Sequence, residues 1–331
     1  MGKKIIFLVL MIGIVVFAYG DKVSVLKEII NPNSVNTNGT GLFIADGYTI
    51  FVYDLNTFEL KAKFGKKGQG PGEFIDHPQV SVYTDFVVIN DSGKVSWFSH
   101  NGKLIEEIKI SPWDQLFPVK DNFIRIRRHF DLKKRSVNVN VSLINKQMQK
   151  MKNIYNYLDE SVDIKLSTDK KGEIKKMTPH YCDVLTDNGN IYIADSKKGF
   201  YIKILDYNGN NIKQIQINME DIPVTLEHKK ELIEKIKISK RWKLLKSNKF
   251  VFNKIFPKIK RILIQNEKIY VTTYKVRNKD NEFIVLDKNG IIIKRVFLPI
   301  ENELYTFVNN TYYYLKENES IEEWELFKIE I

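Results

Sequence analysis

The sequence predicts an all-β protein, a single six-bladed β-propeller closed by its own N- and C-terminal strands. Three observations predict it: one strand-turn-strand unit recurs along the chain, Asn-Gly turns fall at a fixed place in that unit, and each end of the chain holds part of a blade.

The recurring unit is clearest on its second strand. Leu42-Phe43-Ile44-Ala45-Asp46 aligns with Val87-Val88-Ile89-Asn90-Asp91, with Ile191-Tyr192-Ile193-Ala194-Asp195 and with Ile269-Tyr270-Val271-Thr272-Thr273. Phe123–Arg127 and Tyr312–Lys316 are weaker copies. Asp46 and Asp91 lie 45 positions apart, and Thr273 and Lys316 lie 43 apart. The 104 positions from Asp91 to Asp195 hold two units, and the 78 from Asp195 to Thr273 hold one unit and an insertion. Four-stranded units of about 40–50 residues are propeller blades.

The turns agree with this division. Asn101-Gly102, Asn208-Gly209 and Asn289-Gly290 each follow a third strand, and Asn-Gly suits a two-residue hairpin in which both residues take positive φ. The last unit stops after a third strand, Trp324–Ile331, while an orphan strand, Val23–Ile29, stands at the other end. Pairing the two completes the sixth blade and removes two open sheet edges. The insertion, 221–256, reads as helical, with Pro223 in its first turn and Leu226, Ile233 and Ile236 on one face.

Lys3 and Lys4, the apolar run Ile5–Phe17 and the small-residue pattern Ala18-Tyr19-Gly20 read as a signal peptide, residues 1–20, cleaved near Gly20. The apolar run is short for a membrane span of about 20 residues, so an uncleaved anchor is the lesser reading. Secretion to the periplasm or cell envelope follows, with the propeller in residues 21–331. Cys182 is the only cysteine, which excludes an intrachain disulfide and a cysteine-based zinc site. It sits in a first strand and reads as an inert thiol.

Phe64-Gly65-Lys66-Lys67-Gly68-Gln69-Gly70-Pro71-Gly72-Glu73-Phe74 lies between two blades. It lacks the Gly-Lys-Ser/Thr ending of a phosphate loop and leads into a strand. It resembles the inter-blade loop of NHL-type propellers. The chain is especially similar to a secreted bacterial six-bladed propeller family that carries this Gly-Pro-Gly-Glu-Phe loop. The resemblance covers nearly all of the chain after residue 20. It implies the fold and a helical segment between blades, but no common activity. Some NHL-type enzymes hold a metal on inward-facing histidines, which makes a metal-dependent lyase or hydrolase with its site in the central channel the alternative function. His77 and His180 are the weak candidates, but His77 aligns with Tyr181, so the register of a ligand set is missing. No Gly-x-Ser-x-Gly elbow is present, and no catalytic residue is assigned.

Asp46, Asp91 and Asp195 end second strands, where each is expected to cap the turn that follows; a structural or channel cation on these carboxylates is the competing reading. No other cofactor is expected. Ser34, Gln79, Asp183 and Arg261 open first strands and should ring one channel mouth, with Asp183 and Arg261 either paired or facing a polar ligand.

The formal charge is +12. Chain path puts the second-to-third-strand loops and the inter-blade crossovers at one end of the ring, here called the top. Arg128 and Arg135, Lys197 and Lys198, and Lys230, Lys237, Arg241 and Lys243 of the insertion all belong there. A basic face attracts anions. The expected function is therefore a monomeric, non-catalytic binding or scaffold propeller for an anionic envelope glycan, a lipid head group or an acidic protein surface. Nucleic acid is not expected, because no binding motif is present. A lysine-rich solvated surface is the plain alternative.

Overall fold

The computed structural model describes residues 20–131, 133, 136–160, 174–238, 249–300 and 303–331. The proposed signal peptide, Arg135, Arg241 and Lys243 lie outside the described residues, apart from Gly20.

The chain enters as β1 (Asp21–Leu26) and then lays down blade one as β2 (Pro32–Thr37), β3 (Gly41–Asp46), β4 (Thr49–Asp54) and β5 (Leu60–Phe64). Blade two is β6 (Gln79–Val82), β7 (Val87–Asp91), β8 (Lys94–Phe98) and β9 (Leu104–Lys109). Blade three is β10 (Asp114–Val119), β11 (Asn122–Asp131), β12 (Ser136–Ile144) and β13 (Lys150–Asp159). After β14 (Ile174–Lys176), blade four is β15 (Cys182–Asp187), β16 (Asn190–Asp195), β17 (Phe200–Leu205) and β18 (Asn211–Ile217). Helix α1 (Leu226–Ile238) and β19 (Lys249–Val251) precede blade five, β20 (Arg261–Gln265), β21 (Lys268–Arg277), β22 (Asp280–Leu286) and β23 (Ile292–Leu298). β24 (Tyr305–Val308), β25 (Thr311–Asn318) and β26 (Glu323–Glu330) begin blade six, and β1 completes it.

Each blade is an antiparallel four-stranded sheet in chain order, except the sixth, whose order is β1-β26-β25-β24. β1 pairs antiparallel with β26, from Asp21 opposite Lys328 to Leu26 opposite Trp324. Ring closure is therefore as expected from the two chain ends. Trp324 donates its indole N–H to the Ile30 carbonyl at 3.0 Å, and Leu26 and Ile29 are buried beneath it with Leu315 and Leu326.

Burial follows the blades. Outside blade three, second and third strands are largely apolar on both faces because each sheet is sandwiched between two others. Residues of blade three (Ile124, Val139, Val141) meet those of blade four (Val184, Ile191, Ile193), and blade five meets blade six through stacked Tyr270 and Phe307 at 3.9 Å. Glycine-rich 65–74 is a folded crossover. Fully buried Phe74 plugs it, Lys66 and Gly68 bond backbone to backbone with Phe74, and Glu73 accepts from the Gly70 amide at 2.9 Å. One more bond reaches it from blade two, Glu107 accepting from the Gly72 amide at 3.1 Å.

Several local expectations need correction. The Asn-Gly turns are not two-residue hairpins. Only Gly102, Gly209 and Gly290 take positive φ, and their asparagines do not. Gly102 donates to the Ser99 carbonyl while Ser99 donates to the Lys103 carbonyl, which makes a three-residue loop ending in a left-handed glycine. Asp206 and Asp287 tie the second and third loops by accepting two backbone N–H bonds each. Asp46 and Asp91 do not cap the turns after them. They reach back to the crossover entering their own blade: Asp46 accepts from Ile30 and Asn31, Asp91 from Ile75 and Asp76. Asp195 does cap its following turn, through the Lys197 amide at 2.9 Å, while Ser196 takes the crossover amide of Tyr181. The insertion is helical only over Leu226–Ile238 among its described residues. Pro223 lies before that helix, bridging Ile255, and Leu226 is 76% exposed. Thr225 is the residue that starts the helix, exchanging bonds with His228. β14 and β19 pair in parallel beside it, a small sheet that sequence periodicity did not indicate.

The turn aspartates carry a pH prediction. Backbone N–H bonds hold the carboxyls of Asp54, Asp206 and Asp287 below the usual range. A carboxyl whose pKa falls on folding stabilises the fold above its unfolded value of about 3.9, and the contribution is lost as pH drops through the folded value. Asp183, pushed up by burial, acts in the opposite sense. The urea midpoint is expected to stay level from pH 7 to 5 and fall below about pH 4, and an Asp54→Asn, Asp206→Asn, Asp287→Asn variant to lose less on acidification than the wild type. Identical pH slopes in the two proteins would refute the assignment.

Candidate functional site

The first strands β2, β6, β10, β15, β20 and β24 line the channel, and their first residues face the top mouth. Four blades meet there around a cavity of about 340 Å³. Its walls include Gln79, Gln115, Arg128, Asp159, His180, Cys182, Asp183 and Lys260. The structure thus brings together Arg128, Asp183 and His180 from the sequence reading. It does not bring His77, Arg261 or the lysines of the outer loops into that cavity.

The mouth is a set of satisfied polar pairs with one loose end, at His180. Arg128 donates to Gln115 at 3.1 Å, Gln115 donates to Gln79 across the blade boundary, and Asp159 lies 3.8 Å from the Arg128 guanidinium. Asp183 accepts the Tyr181 hydroxyl at 3.0 Å and its neighbour's amide, that of Val184, at 2.8 Å. Lys260 pairs with Glu303 at 3.5 Å. Burial pushes the Asp183 carboxyl and the Tyr181 phenol up, and raises the Cys182 thiol as well, with Asp195 and Asp183 adding to it. A thiol so placed is held in its unreactive form. The Nδ1 atom of His180 is buried and has no hydrogen-bond partner, so it does not serve as a base for that thiol.

Asp183 and Arg261 form no ion pair. Arg261 instead donates to the Glu303 carbonyl at 2.8 Å and lies over the Tyr305 ring at 5.0 Å. His77 is exposed, stacked on Tyr48 and 3.4 Å from Asn33, far from His180 in the chain and on a different crossover. Among the described residues no group of three or more His, Cys, Asp or Glu side chains is placed to hold a metal ion.

The described cations of the outer top loops differ in how they are held. Lys198 sits between Tyr155 and Tyr201 at 4.8 and 4.9 Å, and Lys237 pairs with Glu234 at 2.6 Å. Lys197, Lys230, Lys275 and Lys279 are exposed and make no ion pair among the described residues. At the bottom the turns are tied by Asp54, Asp206 and Asp287, and Lys146 and Lys288 are paired with Asp121 and Glu267, while Lys103 and Lys120 are exposed.

No family model matches this chain, and no curated protein matches it. Among solved structures it is similar to the β-propeller domain of the Trilobed protease from Pyrococcus furiosus, with 11% identity and a TM-score of 0.44 over 90% of this chain and 81% of that one. It is also similar to a protein of unknown function from Bacteroides caccae, with 11% identity and a TM-score of 0.39 over 82% of this chain and 83% of that one. The shared feature is the fold.

Sequence reasoning missed the Arg128–Gln115–Gln79 chain, because it joins residues of two blades whose spacing carries no local pattern. It also missed a polar face of blade three, although a signal for it stands in the sequence: Ser136-Val137-Asn138-Val139-Asn140-Val141-Ser142-Leu143 alternates strictly between apolar and uncharged polar residues.

Proposed function

We propose that this protein is a non-catalytic binding or scaffold propeller of the cell envelope, secreted or periplasmic, that receives an anionic partner on its top face. NHL-type ancestry belongs to the same proposal and rests on the Gly65–Phe74 loop. The observation that carries the reading is the group of exposed lysines in the top loops around blades four and five, Lys197, Lys230, Lys275 and Lys279, which make no ion pair among the described residues, whereas the top loop of blade six is acidic with Glu317, Glu319 and Glu322. A basic patch of this kind concentrates anions at that face and speeds their arrival. The channel mouth is nearly charge-balanced, so it would seat a polar end of the partner while the surrounding lysines supply attraction.

The test reverses Lys197, Lys230, Lys275 and Lys279 to Glu and compares retention on immobilised dextran sulfate and on phosphatidylglycerol vesicles. The wild type should be retained and released by salt, with the ionic strength for release falling at least twofold in the variant. A Lys103→Glu, Lys146→Glu variant of the bottom turns should behave as the wild type. Equal retention of all three proteins, or none by the wild type, would overturn the reading.

A further inference from the structure

Blade three differs from its neighbours on the face turned toward blade two. Near the bottom that face is apolar: Phe123, Ile144 and Leu116 pack on Val88, Val95 and Trp97 of blade two. Higher up the same face turns polar. Register places Arg125 opposite Ser142, Arg127 opposite Asn140, and His129 opposite Asn138, with Asn156 beyond Asn140. Strands β11–β13 run nine or ten residues against four to six in blade two, so the polar rows rise past their neighbour. Polar groups without partners resist burial against another sheet. The polar rows therefore stay uncovered, and they wall an open cleft of about 670 Å³ lined by blade-three residues alone, within the range of about 300–1,000 Å³ usual for small-molecule sites.

The cleft is built for an anion carried on a hydroxyl-rich body. Arg127 is already neutralised, holding Asp114 through two bonds at 2.6 and 2.5 Å. Arg125 shares the field of Asp114 but makes no ion pair among the described residues, and its Nε is buried with no hydrogen-bond partner. Ser142, its register partner, also holds a buried hydroxyl with no partner. Buried donors left open in a native fold call for an acceptor that the chain does not supply. A guanidinium fork matches a carboxylate in two parallel bonds. Lys150 adds a second cation at the rim. The carboxamides suit vicinal hydroxyls, since each offers two donors and an acceptor. Asn140 already links Asn153 and Asn156 at 2.9 and 2.7 Å, which fixes their orientation, and exposed Asn138 is free of such bonds. Tyr157 and His129 also line it, rings on which a sugar face can rest, and a lone inorganic anion would fill little of it.

We propose that this cleft is a second binding site, distinct from the top face, for a carboxylated saccharide, with the carboxylate on Arg125 and the sugar hydroxyls on Asn138, Asn140 and Asn156. Titration calorimetry on the full chain tests it with trigalacturonate, with neutral maltotriose and with inorganic phosphate. Trigalacturonate should bind at least tenfold more tightly than either of the others. Arg125→Gln should weaken it at least tenfold and Asn138→Ala severalfold. The reversal of Lys197, Lys230, Lys275 and Lys279 should leave it within twofold, which separates failure of this site from failure of the top-face reading. Asn138 is exposed, so its variant keeps the test valid if Arg125→Gln fails to fold. Absence of trigalacturonate binding to the wild type would overturn the proposal. So would equal binding of maltotriose or phosphate, or unaltered binding in Asn138→Ala together with any folded Arg125→Gln.

Discussion

Deleting residues 21–30 will lower the melting temperature by at least about 10 °C and leave a protein prone to self-association. The segment carries β1, the only partner of β26 on its outer edge. Leu26 and Ile29, 1% and 3% exposed, go with it, and each buried aliphatic removed costs about 2–5 kcal/mol. Together they amount to a loss of about 7 kcal/mol, which at an unfolding entropy of about 0.65 kcal/mol per kelvin for a domain of this length corresponds to a shift of about 10 °C. The deletion also frees Glu325, which Lys22 contacts at 3.2 Å, and the indole N–H of Trp324. The bared β26 edge is a template for a second chain. Differential scanning calorimetry and light scattering check both parts. A truncated protein that melts with the wild type would show that β1 is an ornament on an already closed ring. Leu26→Ala, which leaves the backbone pairing in place, should fall between the two.

Glu107→Ala will destabilise the fold by about 3 kcal/mol, although Glu107 stands on a fourth strand at the outside of the ring. Its carboxylate is the hub of the Gly-rich crossover. It accepts from Lys94 at 3.0 Å, Ser96 at 2.9 Å and the Gly72 amide at 3.1 Å. Burial pushes that carboxyl up, but the Gly72, Lys94 and Ser96 bonds outweigh it and hold it below the usual range. Removing it strands the Lys94 ammonium, whose side chain is only 7% exposed, with the Gly70 carbonyl as its remaining partner. An uncompensated buried charge is the costly product; the pair itself contributes little against well-packed apolar groups. Lys94→Met combined with Glu107→Ala should therefore be more stable than Glu107→Ala alone. Urea unfolding of the two single variants and the double variant measures this coupling, and additive losses would refute it.

Lys94 and Glu107 mark the limit of what can be read from the sequence. Lys94 opens a third strand, and nothing in its neighbours along the chain marks its side chain as buried. Its burial depends on the crossover folding back over β8, which no window of sequence displays. Asp46 and Asp91 make the same point. Their recurrence at the ends of second strands is plain in the sequence, and so is the inference that they bind backbone N–H groups. Which N–H groups they bind was assigned to the adjacent turn, since that is nearest in the chain. The crossover amides 15 or 16 residues earlier are nearer in space.

The top mouth was partly legible. First-strand openings named Gln79 and Asp183 correctly as channel residues, because strand direction alone puts them there. Arg261 was named by the same rule but turns to Tyr305 and Glu303, a choice made by packing between blades five and six. The blade-three cleft had a visible signal in the alternation of β12, yet alternation says only that one face is polar. It does not say whether a neighbouring blade covers that face.

By itself the sequence determined the blade count, the order of strands, the closure of the ring by β1 and β26, and the end at which each loop lies. These depend on period-two patterns, turn residues and strand direction, which are properties of neighbours along the chain. Only the tertiary structure decided which cations are paired, where Asp46 and Asp91 reach, and that the polar rows of β11–β13 stay uncovered. Those outcomes depend on the relative lengths and tilts of separate sheets, and so on distances between residues whose separation in sequence carries no information about their separation in space.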